Sequence, residues 1–201
     1  LAAYLVLWML LVKGRFIVLA PTVEGSYQSW GETAVIVAGA LVLYAWFATD
    51  WDRGRVGFAT GANGVRIARV IYGLALLAFG LSHFAYLNLT TPLIPSWLPG
   101  PAIAWAYFTG TAFLLAGAAI LLGVYARLAA ALSTLQLGLF LLLVWLPLVV
   151  GGNESAFRWG EFVVTCAVTA GAWVVADSYR GTRWLAVAHR WQARRRAVVK
   201  I

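Results

Sequence analysis

Six apolar segments follow one another along this chain, and each is about as long as the hydrocarbon core of a membrane is thick. They cover residues 1–20, 33–49, 67–89, 103–123, 128–149 and 160–177. A helix needs about 20 apolar residues to cross a bilayer, and these runs lack the alternation that marks a membrane β-barrel. Because only 11% of the residues are charged, against about 25% in soluble domains, we predict an all-α polytopic membrane protein with six transmembrane helices.

Two of these segments have the same residues at both ends. The triplet Trp-Gly-Glu precedes each segment and Asp-x-x-Arg-Gly follows it, and the two tryptophans, Trp30 and Trp159, lie 129 residues apart. Self-similarity at a fixed spacing indicates repeated structural units. We interpret residues 61–181 as a complete four-helix-bundle unit and residues 1–60 as the second half of a first one, in parallel tandem repeat. The same arithmetic predicts about two further spans upstream of Leu1.

The acidic residues of these motifs are predicted to mark helix ends. Asp50 and Asp177 would close their helices, with Arg53 and Arg180 three residues on offsetting the unfavourable charge. Gly54 and Gly181 would then adopt the left-handed conformation of a helix C-cap. We expect Glu32 and Glu161 to lie in the first turns of the same helices, and the spacing of Ser29 and Glu32 is that of a capping box.

Basic residues cluster on one side of the predicted membrane. Of the net charge of +8, most comes from the connections after the second and fourth segments and from the tail, residues 182–201. The positive-inside rule makes that side cytoplasmic, which predicts a bacterial inner (plasma) membrane protein with a cytoplasmic C-terminus. The tail has the apolar stripe and arginines of an amphipathic helix lying on membrane lipid, so nucleic acid is not an expected partner.

Residues 66–177 resemble the DoxX-like family of four-helix membrane proteins. Four stretches carry the resemblance: RVIYG at 69–73, FGLSHF at 79–84, IPSWLPGP at 94–101 and YFTG at 107–110. The chain departs from the pattern at Phe113, where many relatives carry a glutamate. The resemblance implies a helix bundle, and it implies a link either to quinone-dependent oxidation of sulfur compounds and redox partner complexes or to the assembly of other proteins.

The candidate ligand-binding residues are ionisable or polar groups inside apolar segments, where they are costly unless they serve a function. His83 is predicted to point into the outer half of the bundle, either to bind a ligand or to hydrogen-bond to Tyr107 or a backbone carbonyl. Glu32 and Glu161 either cap their helices or face a shared outer cavity. Lys13 and Arg15 either reach the outer headgroups or pair with Glu24 or Glu32, or with an anionic ligand. No metal-ligand spacing is present, and no metal is predicted.

Three functions remain open at this point. The first is a membrane subunit that binds a quinone or similar lipophilic redox ligand around His83 for a redox partner. The second is a non-enzymatic scaffold or assembly factor for other membrane proteins. The third is a small-solute transporter, since transporters are often built from repeats.

Overall fold

The structure is a computed structural model that describes residues 2–151 and 155–187, except for the side chain of Glu24. Six long helices make up most of these residues. No strand occurs within these described ranges, and all six helices are long and apolar enough to cross a membrane. The predicted class, all-helical with six apolar spans, is confirmed. The helices are α1 Ala2–Leu19, α2 Glu24–Phe47, α3 Gly61–Ala85, α4 Ala102–Leu122, α5 Ala126–Val150 and α6 Ala156–Asp177.

Several helices begin earlier than hydropathy predicts. α2 starts at Glu24 rather than near residue 33, and α6 starts at Ala156 rather than near residue 160. A hydropathy pattern detects the apolar middle of a helix, whereas backbone hydrogen bonding continues through the polar turns at its end. The expectation that Glu32 and Glu161 lie in first turns, and that Ser29 and Glu32 form a capping box, is therefore wrong.

The two Asp-x-x-Arg-Gly motifs also differ from expectation. Asp177 does end α6 and pairs with Arg180, but Asp50 opens a separate short helix, Asp50–Val56, after the N-cap Thr49. There Thr49 and Asp52 form a capping box, so the negative charges lie at the favourable end of a helix. Gly181 has a positive φ of 83°, as predicted. The left-handed cap predicted at Gly54 is wrong, because Gly54 lies inside the short helix.

Five helices form a closed ring. Each of α2 to α6 packs against its neighbour in sequence, and α2 also packs along α6, so that α2 lies between α6 and α3. The sixth helix, α1, lies against α2. Small residues allow the closest approaches, since the backbones of two helices can touch only where side chains are absent. This is seen where Gly73 and Gly80 of α3 face Gly117 and Gly110 of α4.

The contact between α2 and α6 sets the direction of these two helices. A Cβ atom at Gly39 of α2 would lie 2.7 Å from the Cα atom of Gly171 in α6. Glu32 and Glu161, which lie earlier in the same helices, line one cavity. Since residues early in α2 lie beside residues early in α6, and later residues beside later ones, the two helices are parallel.

The segment that follows α6 folds back over the ends of α3 and α5 opposite that cavity. Arg69 stacks on the ring of Tyr179, with its guanidinium carbon 3.7 Å from the ring centroid, and Arg127 stacks on Trp184 at 4.1 Å. Burial raises the pKa of Tyr179, and the charge of Arg69 partly offsets this shift. The predicted amphipathic helix is wrong for residues 182–187, which contain a bend, a turn and an isolated bridge from Val187 to Val124, and residues 188–201 lie outside the described ranges.

Candidate ligand-binding cavity

A cavity of about 60 Å³ lies inside the ring of helices. It is near the end of the bundle where α2 and α6 begin and where α3 and α5 finish. Every ring helix contributes to its wall, mostly through residues one helical turn apart on one face. The volume accommodates a few water molecules. The lining residues are Gln28 and Glu32 of α2, Phe79 and His83 of α3, Phe113 of α4, Leu137, Phe140 and Trp145 of α5, and Glu161, Thr165 and Val168 of α6.

His83 is held in one orientation by its own helix and by two aromatic rings. Its Nδ1 lies 2.8 Å from the carbonyl oxygen of Phe79, and because a carbonyl only accepts, Nδ1 is the donor. The Nε2 atom of the neutral ring is then a hydrogen-bond acceptor. The imidazole stacks on Phe140, with ring centroids 6.0 Å apart and planes 16° apart, and is tilted against Phe113 at 5.6 Å.

A glycine on the neighbouring helix makes room for this histidine. A Cβ atom at Gly110 of α4 would lie 2.7 Å from the Cβ atom of His83, a separation that real Cβ atoms essentially never show. The Thr-Gly pair at 109–110, noted in the sequence as part of a family resemblance, therefore has a direct physical consequence. It lets α4 approach α3 closely enough for the cavity wall to close around the imidazole.

Two carboxyl groups share the cavity because α2 and α6 are parallel and close. Glu32 accepts a hydrogen bond of 3.0 Å from Nε2 of Gln28, and Glu161 lies close enough to Glu32 for an electrostatic interaction. Lys13 of α1 also interacts electrostatically with Glu32, and its ammonium donates a hydrogen bond to the Ser29 hydroxyl. The polar end of the cavity thus brings Glu161 of α6 together with Glu32 of α2, which lies 129 residues earlier in the chain.

Aromatic rings form the rest of the wall. Phe113, which is only 1% exposed, contacts Phe79 at a centroid distance of 5.6 Å and Phe140 at 5.9 Å. Phe113 is the position where the resemblance leads one to expect a glutamate. An apolar ring therefore occupies that point of the cavity, and the carboxyl groups come from Glu32 and Glu161 instead.

Of the six residues predicted from the sequence, the structure brings three into the cavity: His83, Glu32 and Glu161. Lys13 lies beside it. Tyr107 does not line it, because its ring packs on Phe84 at 5.5 Å and is 42% exposed. The partner of His83 is accordingly a backbone carbonyl and not Tyr107.

The remaining predicted residue, Arg15, lies apart from the cavity. Arg15 is exposed and makes no hydrogen bond or ion pair with the residues that the structure describes. Lys13 and Arg15 are separated because they lie only two residues apart in α1 and so point to different sides of the helix. The alternative pairing with Glu24 concerns a side chain outside the described part of the structure.

Sequence reasoning missed several lining residues. Gln28, Phe79 and Thr165 each lie four residues from a predicted site residue, so helical spacing alone could have found them. Phe140 and Trp145 carry no such signal. Phe140 directly precedes a π-helical turn, Leu141–Trp145 in α5, and Trp145 ends it; such a turn changes which face of a helix its residues occupy.

The fold and the cavity define a protein whose described residues form six helices capable of crossing a membrane, five of which line a mainly apolar cavity with a polar end. A family model, "Domain of unknown function (DUF8561)", matches residues 72–176, slightly more than half of the chain, and the chain belongs to this family. The match runs from the middle of α3 to the end of α6. No curated protein and no solved structure matches the chain.

Proposed function

We propose that this protein is an integral membrane subunit that binds the polar end of a quinone or similar lipophilic redox ligand in the cavity, on behalf of a redox partner protein. The observation that carries the proposal is the environment of His83. Its Nε2 acceptor belongs to a ring fixed between Phe113 and Phe140, in the same cavity as Glu32 and Glu161. Aromatic walls suit a planar ring, and ionisable groups suit the exchange of protons with it.

The volume of the cavity agrees with binding of one end of such a molecule. Pockets that enclose a whole drug-sized ligand measure about 300–1,000 Å³, and this cavity has about 60 Å³. It therefore holds the polar edge of a ring, with the remainder of the molecule in the lipid. Phe140 and Trp145 beside the π-helical turn are the side chains whose movement would enlarge the opening.

The proposed orientation places the cavity in the outer half of the membrane. Arg69, Arg127 and Arg180 lie at the opposite end of the bundle, close to the segment that follows α6. The positive-inside rule makes that end cytoplasmic, which supports a plasma-membrane protein of bacterial type with a cytoplasmic C-terminus. The redox partner would then act from the outer face.

We further propose a DoxX-like tandem repeat, with residues 61–181 as one unit and residues 1–60 as half of another. Three observations support it. The helices that carry the two Trp-Gly-Glu triplets are parallel. Helices α1 and α5, which correspond under a shift of 129 residues, each contain a π-helical turn, at Trp8–Lys13 and Leu141–Trp145. The matched family region, residues 72–176, falls within the single unit 61–181.

Retention of the ligand on purification tests the first proposal. The full chain is solubilised in mild detergent, purified and extracted with organic solvent, and the extract is analysed by mass spectrometry. We expect the extract to contain about one lipophilic redox molecule per protein chain, and we expect this molecule to be absent from extracts of His83→Ala. Tyr107→Phe is the matched control, because Tyr107 lies on the adjacent helix outside the cavity. Equal retention in His83→Ala and wild type contradicts the proposed site.

One observation favours the alternative function, a scaffold for other membrane proteins. Gly31 of α2 is covered by Phe79 of α3, since a Cβ atom at Gly31 would lie 2.7 Å from that ring. Its counterpart in α6, Gly160, has no atom of the described residues within 4 Å of the corresponding position, and Val163 one turn on is 58% exposed. The face of α6 that corresponds to the α3-binding face of α2 is therefore open.

Crosslinking identifies what covers this face in the membrane. A Gly160→Cys variant in a Cys166→Ser background carries one thiol, to which a photoactivatable crosslinker is attached before illumination in native membranes. The scaffold proposal expects a crosslink to a helix of another protein. Crosslinks to lipid alone contradict it.

A further inference from the structure

The polar groups of the cavity are mainly hydrogen-bond acceptors. Nδ1 of His83 donates to the Phe79 carbonyl at 2.8 Å, which leaves Nε2 as an acceptor. The carboxyl groups of Glu32 and Glu161 present acceptor oxygens in either protonation state. These groups come from three helices and line one space, so a molecule that enters it meets several lone pairs.

The donors in the same wall are fewer and are partly used. One amide hydrogen of Gln28 is already donated to Glu32, over 3.0 Å, and the ammonium of Lys13 donates to Ser29 outside the cavity. What remains is the second amide hydrogen of Gln28, the indole N–H of Trp145, the hydroxyl of Thr165, which can also accept, and the O–H of either carboxyl group when it is protonated. His83, which is fixed between two aromatic rings, offers only an acceptor at Nε2 when its ring is neutral.

We propose that the cavity binds its ligand through a phenolic hydroxyl and therefore prefers a hydroquinone over the corresponding quinone. A hydroquinone O–H donates to Nε2 of His83, while Phe113 and Phe140 contact the ring. A quinone carbonyl has no hydrogen to donate, so it would place an oxygen lone pair against a nitrogen lone pair. This inference depends on the proposed function, because it names the redox form of the ligand at the same site.

The size of the preference follows from the cost of leaving a buried polar group without its partner. A quinone that displaces water from Nε2 removes a hydrogen bond that the hydroquinone would restore. Costs of this kind correspond to a difference in affinity on the order of 10-fold, with a range from about 5-fold to 100-fold. The two ligands share one carbon skeleton, so their apolar contacts with the wall cancel in the comparison.

Calorimetry on the purified full chain tests the preference directly. The protein in lipid nanodiscs is titrated without oxygen with tetramethylhydroquinone and, separately, with tetramethylbenzoquinone. We expect the hydroquinone to bind about 10-fold more tightly. If the quinone binds equally or more tightly, this inference is overturned and the proposed function stands. If neither compound binds, the proposed function is itself overturned.

A substitution at His83 locates the preference. In His83→Phe the aromatic packing is kept but the acceptor is lost, so the ratio of the two affinities should fall to about 3-fold or less. Tyr107→Phe should keep the wild-type ratio. Circular dichroism shows whether each variant is folded. If His83→Phe does not fold, the affinities of the wild-type protein for the two compounds alone test the preference. A full preference retained in folded His83→Phe would assign the selectivity to another group.

Discussion

The close contact between α2 and α6 gives a prediction that can be worked out from distances. A Cβ atom added at Gly171 would lie 2.8 Å from the carbonyl oxygen of Val35 and 3.3 Å from its carbonyl carbon. Both atoms belong to the backbone of a helix, so no side chain can rotate away. Since ordinary contacts begin at 3.4 Å, the helices must separate by 3.4 − 2.8 = 0.6 Å in Gly171→Ala to restore an ordinary contact. Such overpacking costs about 1–3 kcal/mol.

Gly160→Ala is a matched control in the same helix. It adds the same methyl group where no atom of residues 2–151 and 155–187 lies within 4 Å, and both variants gain the same helix propensity, about 1 kcal/mol. The difference between their free energies of unfolding therefore isolates the clash. About 2–4 °C per kcal/mol is typical of a chain this long, so Gly171→Ala should melt about 2–12 °C below Gly160→Ala.

Tryptophan fluorescence during heating measures this difference in detergent micelles, because the chain contains 11 tryptophans. The same separation of α2 from α6 would move Glu32 away from Glu161 and weaken ligand retention, which Gly160→Ala would leave unchanged. Equal melting temperatures for the two variants would show that the helices do not touch at Gly171, and the derived parallel packing of α2 and α6 would be wrong.

Two further predictions concern contacts far from the cavity. Tyr72 is fully buried and its hydroxyl lies 2.9 Å from the hydroxyl of Ser133. Tyr72→Phe should therefore lower the free energy of unfolding by about 1 kcal/mol, measured as a melting temperature about 2–4 °C lower. An unchanged melting temperature would show that this hydrogen bond does not stabilise the protein. Arg127 donates a hydrogen bond to the Thr182 carbonyl at 2.6 Å and stacks on Trp184. Arg127→Ala should therefore increase the rate of tryptic cleavage after Arg183, which mass spectrometry can follow. An unchanged rate would mean that these contacts do not protect the segment after α6.

Much of the architecture follows from local properties of the sequence. The six spans are detectable because a membrane-crossing helix must be apolar along its whole length, and this property is visible in any window of about 20 residues. Helix ends were predicted less well. Glu32 is the ninth residue of α2 and does not lie in its first turn. The helix extends into the polar sequence before Glu32, because a helix continues as long as its backbone groups find hydrogen-bond partners.

The candidate site was only partly predictable. His83, Glu32 and Glu161 were found because ionisable groups inside apolar segments stand out. Arg15 was chosen by the same reasoning and Tyr107 as a possible hydrogen-bond partner of His83, yet neither lines the cavity, because the rotation of a helix about its axis depends on its neighbours. In α2 and α4 the apolar residues surround the whole helix, so periodicity gives no indication of which face is buried.

The sequence by itself determined that the chain forms six apolar helices with most of the basic residues in the connections at one end, because the exclusion of charge from lipid acts on each segment separately. Only the tertiary structure decided that α2 lies between α6 and α3 and that Glu32, Glu161 and Phe113 line one cavity. These outcomes depend on where glycines such as Gly39, Gly110 and Gly171 let backbones touch. That is a property of pairs of helices and not of either helix alone.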